Sequence, residues 1–249
     1  MFYLKRFREI VPLSTHIKGV EMIQISYRTS PEIVREVLPP PLEPGPEPLA
    51  SVYIARFAET DFGSPAYSEG ALFLQARHKE VIGNYCLAMY VTDDIALIRG
   101  REVYGFPKKL AQVRWVREGS RLEAAVERRG CTVMTIKAET VRPVKPEART
   151  SVFGGTTFLF KYFINPECTG YDFEPRLVGV SIRETVTKLE ECKASIFFGK
   201  SKVDPLYRIE ACDIVSALYL EGDMELPPAK VLAEVKARDF TPYAFFRLK

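Results

Sequence analysis

The sequence has few of the side chains on which metal centres and hydrolytic triads depend. Of its 249 residues only His16 and His78 are histidines, which argues against a His-dependent triad or a multi-His metal site. The five cysteines show no Cys-x-x-Cys spacing, so neither a disulfide framework nor a zinc site is expected. They are Cys86, Cys131, Cys168, Cys192 and Cys212. Glycine-rich phosphate-binding signatures are also absent, and we expect neither a nucleotide cofactor nor a metal.

Charge and hydropathy exclude two further classes of partner. Lysine plus arginine total 35 against 32 for aspartate plus glutamate, and a net charge of +3 is too small to predict nucleic-acid binding. No apolar run reaches about 18 residues, so no membrane-spanning helix is predicted. Residues 1–9 are basic and aromatic but lack the apolar core and cleavage site of a signal peptide. We therefore expect a cytoplasmic protein without membrane or nucleic-acid partners.

The residues that are present predict a protein built mainly from strands. Apolar residues make up 47% of the chain and aromatic residues 12%, enough for a sizeable core in a single domain spanning residues 1–249. Alternating or continuously apolar patterns predict strands. These patterns lie at residues 20–28, 49–59, 71–79, 84–92, 110–117, 121–128, 131–139, 156–164, 175–190, 194–198 and 207–221.

Turn and cap signals separate these segments. Ser30-Pro31-Glu32 predicts the start of a short helix, and the segment from Asp93 to Gly100 predicts a second helix with an acidic start and a glycine stop. Glu118-Gly119-Ser120 and Arg128-Arg129-Gly130 predict hairpin turns, and residues 141–151 an exposed excursion. Further turns are predicted at Asn165-Pro166 and Glu221-Gly222-Asp223. The fold class is mainly β with small α elements, in which an antiparallel sheet curls into a barrel or cone.

Two adjacent lysines, Lys108 and Lys109, follow Phe106-Pro107 in a segment with little other charge. A lysine is a nucleophile only as the free amine, and an ordinary pKa of about 10.4 leaves almost none of it near pH 7. Repulsion between two ammonium groups supplies only about 0.6 to 2.5 kcal/mol at roughly 6–7 Å, less than half of what the required shift costs. A dry, apolar pocket must therefore supply the larger share.

Strand alternation favours Lys109 over Lys108 as the lysine on an apolar face. On pattern alone Lys109 shares the more apolar face, with Ala111, Val113 and Trp115. Lys108 falls on the face of Leu110, Gln112 and Arg114. Alternation is unreliable where a strand starts directly after a proline, so both lysines remain candidates for the nucleophile.

The segment Gly100-Arg101-Glu102, followed after four residues by Pro107-Lys108-Lys109-Leu110, resembles the signature of acetoacetate decarboxylases. The resemblance runs from about residue 20 to about residue 235. It also rests on Tyr27-Arg28-Thr29, Leu38-Pro39, Tyr67-Ser68-Glu69, Met89-Tyr90 and Asp204-Pro205-Leu206. It implies a closed, cone-shaped β-architecture, assembly into homo-oligomers, and Lys108 as the Schiff-base lysine with Lys109 as its neighbour.

The resemblance also suggests further site residues. Glu69 matches an active-site glutamate and would move protons beside the amine, whereas on sequence alone it is an exposed loop acid. Arg28 would hold a substrate carboxylate. Met89, Tyr104 and Phe106 would contact substrate, as would Tyr243, which otherwise packs as a tail aromatic.

The chain departs from the family pattern at two positions. The family's pocket arginine and second pocket glutamate fall on Val20 and Ile54 in an ungapped register. A slip of one residue would reach Glu21 or Arg56 instead. Loss of this charge pair would change which acid is recognised.

These observations lead to one principal hypothesis and two alternatives. The first is a cofactor-independent lyase in which Lys108 forms an iminium with a small β-keto acid and carbon dioxide leaves. The second uses the same lysine for aldol, retro-aldol or dehydration chemistry on a 2-oxo acid. The third is a non-catalytic β-barrel that binds an apolar small molecule.

Overall fold

A computed structural model describes residues 14–145 and 155–244, which are mostly β-structure. The strands are β1 (Thr15–Arg28), β2 (Glu43–Pro44), β3 (Leu49–Thr60), β4 (Tyr67–His78), β5 (Val81–Val91), β6 (Lys108–Leu110), β7 (Gln112–Glu118), β8 (Arg121–Arg128), β9 (Cys131–Pro143), β10 (Thr156–Lys161), β11 (Arg176–Val180), β12 (Arg183–Phe198), β13 (Asp213–Leu226) and β14 (Lys230–Glu234). The helices are α1 (Pro31–Val37), α2 (Asp94–Arg99) and α3 (Ala237–Phe240), with a π-helical turn at Gly100–Tyr104 and 3₁₀ turns at Leu206–Arg208 and Thr241–Tyr243. The prediction of a mainly β protein with small helices is confirmed.

The strands join in one sheet whose order is β14-β11-β10-β5-β4-β3-β1-β13-β12-β9-β8-β7, with β2 beside β4 and β6 beside β5. Pairing is antiparallel as predicted, apart from β6 and β10, which both run parallel to β5. In the described residues the pairing path ends at β14 and β7, so closure into a barrel or cone stays a prediction.

The predicted hairpins and caps form where local chemistry favours them. Gly119 and Gly130 adopt φ values of +60° and +71° in the turns β7–β8 and β8–β9, a conformation that glycine enters without steric cost. The Ser30 hydroxyl accepts a hydrogen bond from Ile33 N at 3.3 Å, and Asp93 Oδ1 accepts one from Ala96 N at 2.8 Å. Both side chains satisfy an amide that the first helical turn leaves free.

The predicted second helix forms, and its α-helical part ends at Arg99 with Gly100 as the C-cap residue. Gly100 has right-handed helical angles, and the chain continues through the π-helical turn until Gly105, where φ is +92°. The Gly105 and Phe106 amides both donate to Gly100 O at 3.0 Å. This wider turn leads the chain into β6.

The turn predicted at Glu221-Gly222-Asp223 is wrong, because these residues lie inside β13 between β1 and β12. A Cβ on Gly222 would lie 2.2 Å from Thr185 O, so the glycine permits a close approach of two backbones at an irregularity in strand pairing. Strand β14 is a further element that the pattern did not predict. The excursion predicted at 141–151 is strand as far as Pro143, and residues 146–151 lie outside the described part.

The buried side chains form two apolar clusters on opposite faces of the sheet. Tyr53 and Met89 belong to one, while their chain neighbours Ile54 and Tyr90 belong to the other. We call these sides the Met89 face and the Tyr90 face. In the described residues no helix is both long and apolar enough to cross a bilayer.

Candidate active site

The two lysines of β6 lie on opposite faces of the sheet. Because β6 runs parallel to β5, Lys108 is paired with Met89 and Lys109 with Tyr90. Successive side chains of a strand alternate in direction, so each lysine enters a different apolar cluster. Both are buried, with side-chain exposures of 9% for Lys108 and 5% for Lys109.

On the Met89 face, Lys108 ends in a short chain of polar groups with aromatic walls. Its Nζ donates to Glu69 Oε2 at 2.8 Å, and the Tyr53 hydroxyl donates to Glu69 Oε1. The same Nζ lies 5.8 Å from the ring centroid of Tyr67 and 5.7 Å from that of Phe106. Glu69 exposes only 6% of its side chain. An amine, a carboxylate and a phenol are therefore held together away from bulk water.

Gly100, the first residue of the signature, allows the aliphatic part of the Lys108 side chain to pack closely. A Cβ at position 100 would lie 2.6 Å from both Cδ and Cε of Lys108. The aliphatic part of Lys108 thus packs directly on the backbone of the π-helical turn. A turn of this kind often occurs at functional sites.

Two small cavities, each of about 30 Å³, meet at Lys108 and share Ile17, Tyr67, Phe106 and Leu226. The first, which we call the inner compartment, is lined in addition by Tyr53, Phe57, Glu69, Met89, Ile182 and Met224. The second, the outer compartment, is lined in addition by Thr15, Phe62, Ala96, Arg99, Gly100 and Tyr104. A water molecule needs about 10–15 Å³, so each compartment holds about two.

Burial and the Glu69 carboxylate keep the nearby phenols protonated. Desolvation raises the pKa of Tyr53 well above its usual value, and the negative charge of Glu69 raises it further. The pKa of Tyr67 is raised well above its usual value for the same two reasons. Burial likewise raises the pKa of the Cys86 thiol, with Glu69 adding to the shift and Lys108 opposing it. Near neutral pH both phenols therefore stay protonated and are able to donate hydrogen bonds.

The Tyr90 face holds Lys109 in a different environment. Lys109 Nζ donates to Asp204 Oδ1 at 2.7 Å, Arg128 donates to Asp204 Oδ2 at 2.6 Å, and the Tyr90 hydroxyl donates to Oδ1 at 3.1 Å. Burial lowers the pKa of Lys109 although Asp204 opposes the shift. The two cations hold the pKa of Asp204 below its usual value despite burial of the carboxylate. One fully buried carboxylate thus serves two cations.

Comparison with known proteins identifies the family of the chain. Residues 5–235 match the family model described as Acetoacetate decarboxylase (ADC). The chain belongs to the acetoacetate decarboxylase family. It is 30% identical to an acetoacetate decarboxylase of Burkholderia multivorans over 224 residues, 88% of each chain. It is 45% identical to one of Paraburkholderia phytofirmans over 92 residues, which is 36% of this chain and 35% of that relative.

A solved structure shows the same fold. Acetoacetate decarboxylase of Legionella pneumophila superposes with a TM-score of 0.82 at 23% identity, covering 88% of this chain and 87% of that one. The fold is therefore that of the family.

Four of the predicted site residues line the two compartments beside Lys108. Glu69, Met89 and Phe106 line the inner compartment, and Phe106 and Tyr104 the outer one. The Tyr104 hydroxyl donates to Leu226 O at 3.2 Å. The signature and the Tyr-Ser-Glu landmark of the family thus meet in one place.

Three other predicted residues lie elsewhere. Arg28 is at the surface, where it contacts Glu47 at 2.9 Å and Asp213 at 3.1 Å. These contacts raise its pKa. Tyr243 lines a separate cavity with Tyr85, Phe160 and Phe240. Lys109 is on the opposite face. The structure does not bring these three to the Lys108 cavities, and their roles at the site stay predictions.

The structure also places the two positions at which the chain departs from the family. Val20 lies in the cluster of the Met89 face, whereas Ile54 points to the other face. Glu21 and Arg56 pair with each other across β1 and β3 at 3.8 Å, and both line a separate groove. A one-residue slip of register therefore does not restore the family charge pair beside Lys108.

Several residues that line the cavities were not predicted from the sequence. Tyr53 could have been found, since alternation in residues 49–59 places it on the same face as Phe57. Arg99, at the end of α2, gives no such signal. Ile182, Met224 and Leu226 come from the last third of the chain, where the resemblance is thin. Within the described residues no group of three His, Cys, Asp or Glu side chains is arranged to hold a metal ion.

Proposed function

We propose that this chain is a Schiff-base-forming lyase that decarboxylates a small β-keto acid through Lys108. The observation that carries the proposal is the buried Lys108 amine 2.8 Å from Glu69, under two aromatic rings, in a member of the acetoacetate decarboxylase family. Covalent catalysis by a lysine is the established strategy of acetoacetate decarboxylase, which is also a standard example of an activated lysine.

The contact between Lys108 and Glu69 supports a route to the free amine. Transfer of the shared proton from Nζ to Oε2 converts the ion pair to a neutral amine and a carboxylic acid. Apolar and aromatic walls favour this change, because they solvate a neutral pair better than a charged one. The Tyr53 hydroxyl, bonded to the other carboxyl oxygen, holds Glu69 in place during the transfer.

The reaction then follows from the positions of these groups. Nζ attacks the ketone carbon, and Glu69 gives its proton to the carbinolamine oxygen, which leaves as water. The iminium nitrogen accepts the electron pair of the breaking bond to the carboxylate, carbon dioxide leaves, and an enamine forms. Proton return to the enamine carbon and addition of water release the ketone and the amine.

Borohydride trapping followed by peptide mapping tests the proposal. With acetoacetate, we expect the reduced adduct on the peptide that carries Lys108 and release of carbon dioxide from wild type. A Lys108→Arg variant that still traps the ketone would contradict it. Trapping on Lys108 with pyruvate and an aldehyde, without carbon dioxide release from any β-keto acid, would assign aldol or dehydration chemistry to the same lysine. Binding without any trapping would indicate a small-molecule binder.

A further inference from the structure

Arg99 is a cation that faces the Lys108 site and has no carboxylate partner in the described part of the chain. It is half-buried at the end of α2 and lines the outer compartment with Lys108. Its Nε and Nη2 donate to the Thr15 hydroxyl oxygen at 3.2 and 2.7 Å, and its guanidinium stacks on the Phe62 ring at 5.2 Å. No acidic side chain among residues 14–145 and 155–244 pairs with it.

The positioning contacts leave most of the guanidinium's binding capacity unused. An arginine has five N–H donors, and Thr15 receives two of them. Thr15 and Phe62 carry no charge, so they fix the side chain without neutralising it. A fixed, planar cation with spare donors is suited to a carboxylate, which it can bind with two parallel hydrogen bonds.

The charges around the cavities are arranged along one direction. Among the side chains that line the two compartments, Glu69 in the inner one is acidic, Arg99 in the outer one is basic, and Lys108 lies between them. Lys108 and Glu69 form a pair without net charge, so among the lining side chains Arg99 is the cation that draws a substrate carboxylate to the outer compartment. With the carboxylate at Arg99, the carbonyl carbon can lie at Nζ and the alkyl end against Tyr53, Met89 and Met224.

We infer that Arg99 is the residue that recognises the carboxylate of the substrate. The inference deepens the proposed function and rests on it for the position of the carbonyl carbon. The substrate class is then a short monocarboxylic keto acid rather than a neutral ketone.

Trapping experiments with Arg99→Met separate recognition of the acid from imine formation. We expect the acetoacetate or pyruvate concentration for half-maximal borohydride trapping to rise roughly 10- to 150-fold, the value of a hydrogen bond to a charged group. Trapping with acetone, which has no carboxylate, should not change. Arg99→Lys keeps the charge without the planar fork and should fall between the two. Arg35→Met, at an exposed ion pair of α1, is the matched control.

Steady-state kinetics give a second measure. A carboxylate that leaves as carbon dioxide loses its charge in the transition state, so its anchor contributes to binding of the ground state. Arg99→Met should therefore raise KM for a β-keto acid while kcat stays the same or rises. Equal losses for acetone and for the acids, or no loss for either, would overturn the inference.

A measurement without imine chemistry keeps the two proposals distinguishable. In Lys108→Met, which cannot form an imine, butanoate titrated into the protein and followed by NMR should still bind. Adding Arg99→Met to that variant should abolish the binding. This result would support the anchor even if wild type trapped no ketone and the proposed lyase were abandoned. Butanoate binding that does not depend on Arg99 would overturn the anchor.

Discussion

The Met89 and Tyr90 faces of β6 place two chemically identical amines in opposite situations. On the Met89 face one amine meets one carboxylate beside two cavities, and aromatic rings and aliphatic side chains supply most of the remaining wall. On the Tyr90 face two cations and a phenol converge on Asp204, so every charge is engaged and those cavities do not extend there. Burial alone therefore does not make a lysine a nucleophile. It also needs space at its tip for a carbonyl compound and a partner that can take one proton.

The largest expected effect separates the two lysines directly. Lys108→Met should abolish trapping of acetoacetate and any catalysis, because no amine remains beside the cavities. Lys109→Met should retain trapping, and it leaves Asp204 and Arg128 as a simple one-to-one pair, so stability should change little. Peptide mapping after borohydride reduction and urea unfolding of both variants check this. Loss of trapping in both variants would mean that the two faces are coupled.

Glu69→Gln tests the proton partner on the Met89 face. The amide is nearly isosteric but cannot exchange a proton with Lys108, so kcat should fall about 10²- to 10⁴-fold. The Lys108 adduct should still form, more slowly, in trapping experiments followed over time. Glu47→Gln, at the exposed Arg28 contact, is a matched control. Unchanged kcat in Glu69→Gln would show that the carboxylate only positions the amine.

Asp204→Asn tests the structural assignment of the Tyr90 face. It leaves the buried Lys109 and the half-buried Arg128 without their shared carboxylate, and we expect a loss of about 3–5 kcal/mol in the free energy of unfolding. Urea unfolding measures this loss, while the folded fraction should still trap ketone. Asp213→Asn, in an exposed contact with Arg28, should shift the unfolding midpoint little.

The stability difference between wild type and Asp204→Asn should depend on pH in a defined direction. Asp204 has a lowered pKa in the folded state, so it contributes stability above the unfolded value of about 3.9, and this is lost as pH falls through the folded value. The stability difference between wild type and Asp204→Asn should therefore shrink between about pH 5 and pH 3. A difference that grows on acidification would contradict the ion-pair assignment.

The smallest effect is expected from Tyr53→Phe, which removes one hydrogen bond from Glu69 and retains the ring. If the lost hydrogen bond has a free energy at the low end of the usual range for a bond to a charged group, kcat should fall about tenfold. Tyr85→Phe, on the other face, removes a buried hydroxyl away from Glu69 and serves as the control. A larger loss in Tyr53→Phe than in Glu69→Gln would reverse the roles assigned to these two residues.

Much of the fold could be predicted because its signals are local. Alternation located most strands, and Ser30 and Asp93 marked the helix starts by a chemistry that their neighbours do not alter. The turn predicted at Gly222 was wrong, because the sequence does not distinguish a glycine that permits close strand approach from a glycine that makes a turn. Closure of the sheet depends on contacts that no local pattern encodes.

The site was predictable in part for the same reason. Alternation correctly grouped Lys109 with Ala111, Val113 and Trp115, which pack on the cluster containing Tyr90. It could not show that the cavities lie on the other face, because those are built from β1, β3, β4, β5 and β13 together. The resemblance supplied Lys108 and Glu69. Neither alternation nor the resemblance predicted Arg99, since periodicity and the signature do not distinguish it from other arginines at helix ends.

Because β6 has only three residues, its register along β5 decides which of the two lysines reaches the cavities. A displacement of β6 by one residue along β5 would exchange the two amines without altering the composition of the segment. Gly105 opposes it, since its left-handed backbone packs so closely on Phe160 O that a Cβ would lie only 2.7 Å away. A larger residue at position 105 would thereby threaten the identity of the nucleophile itself.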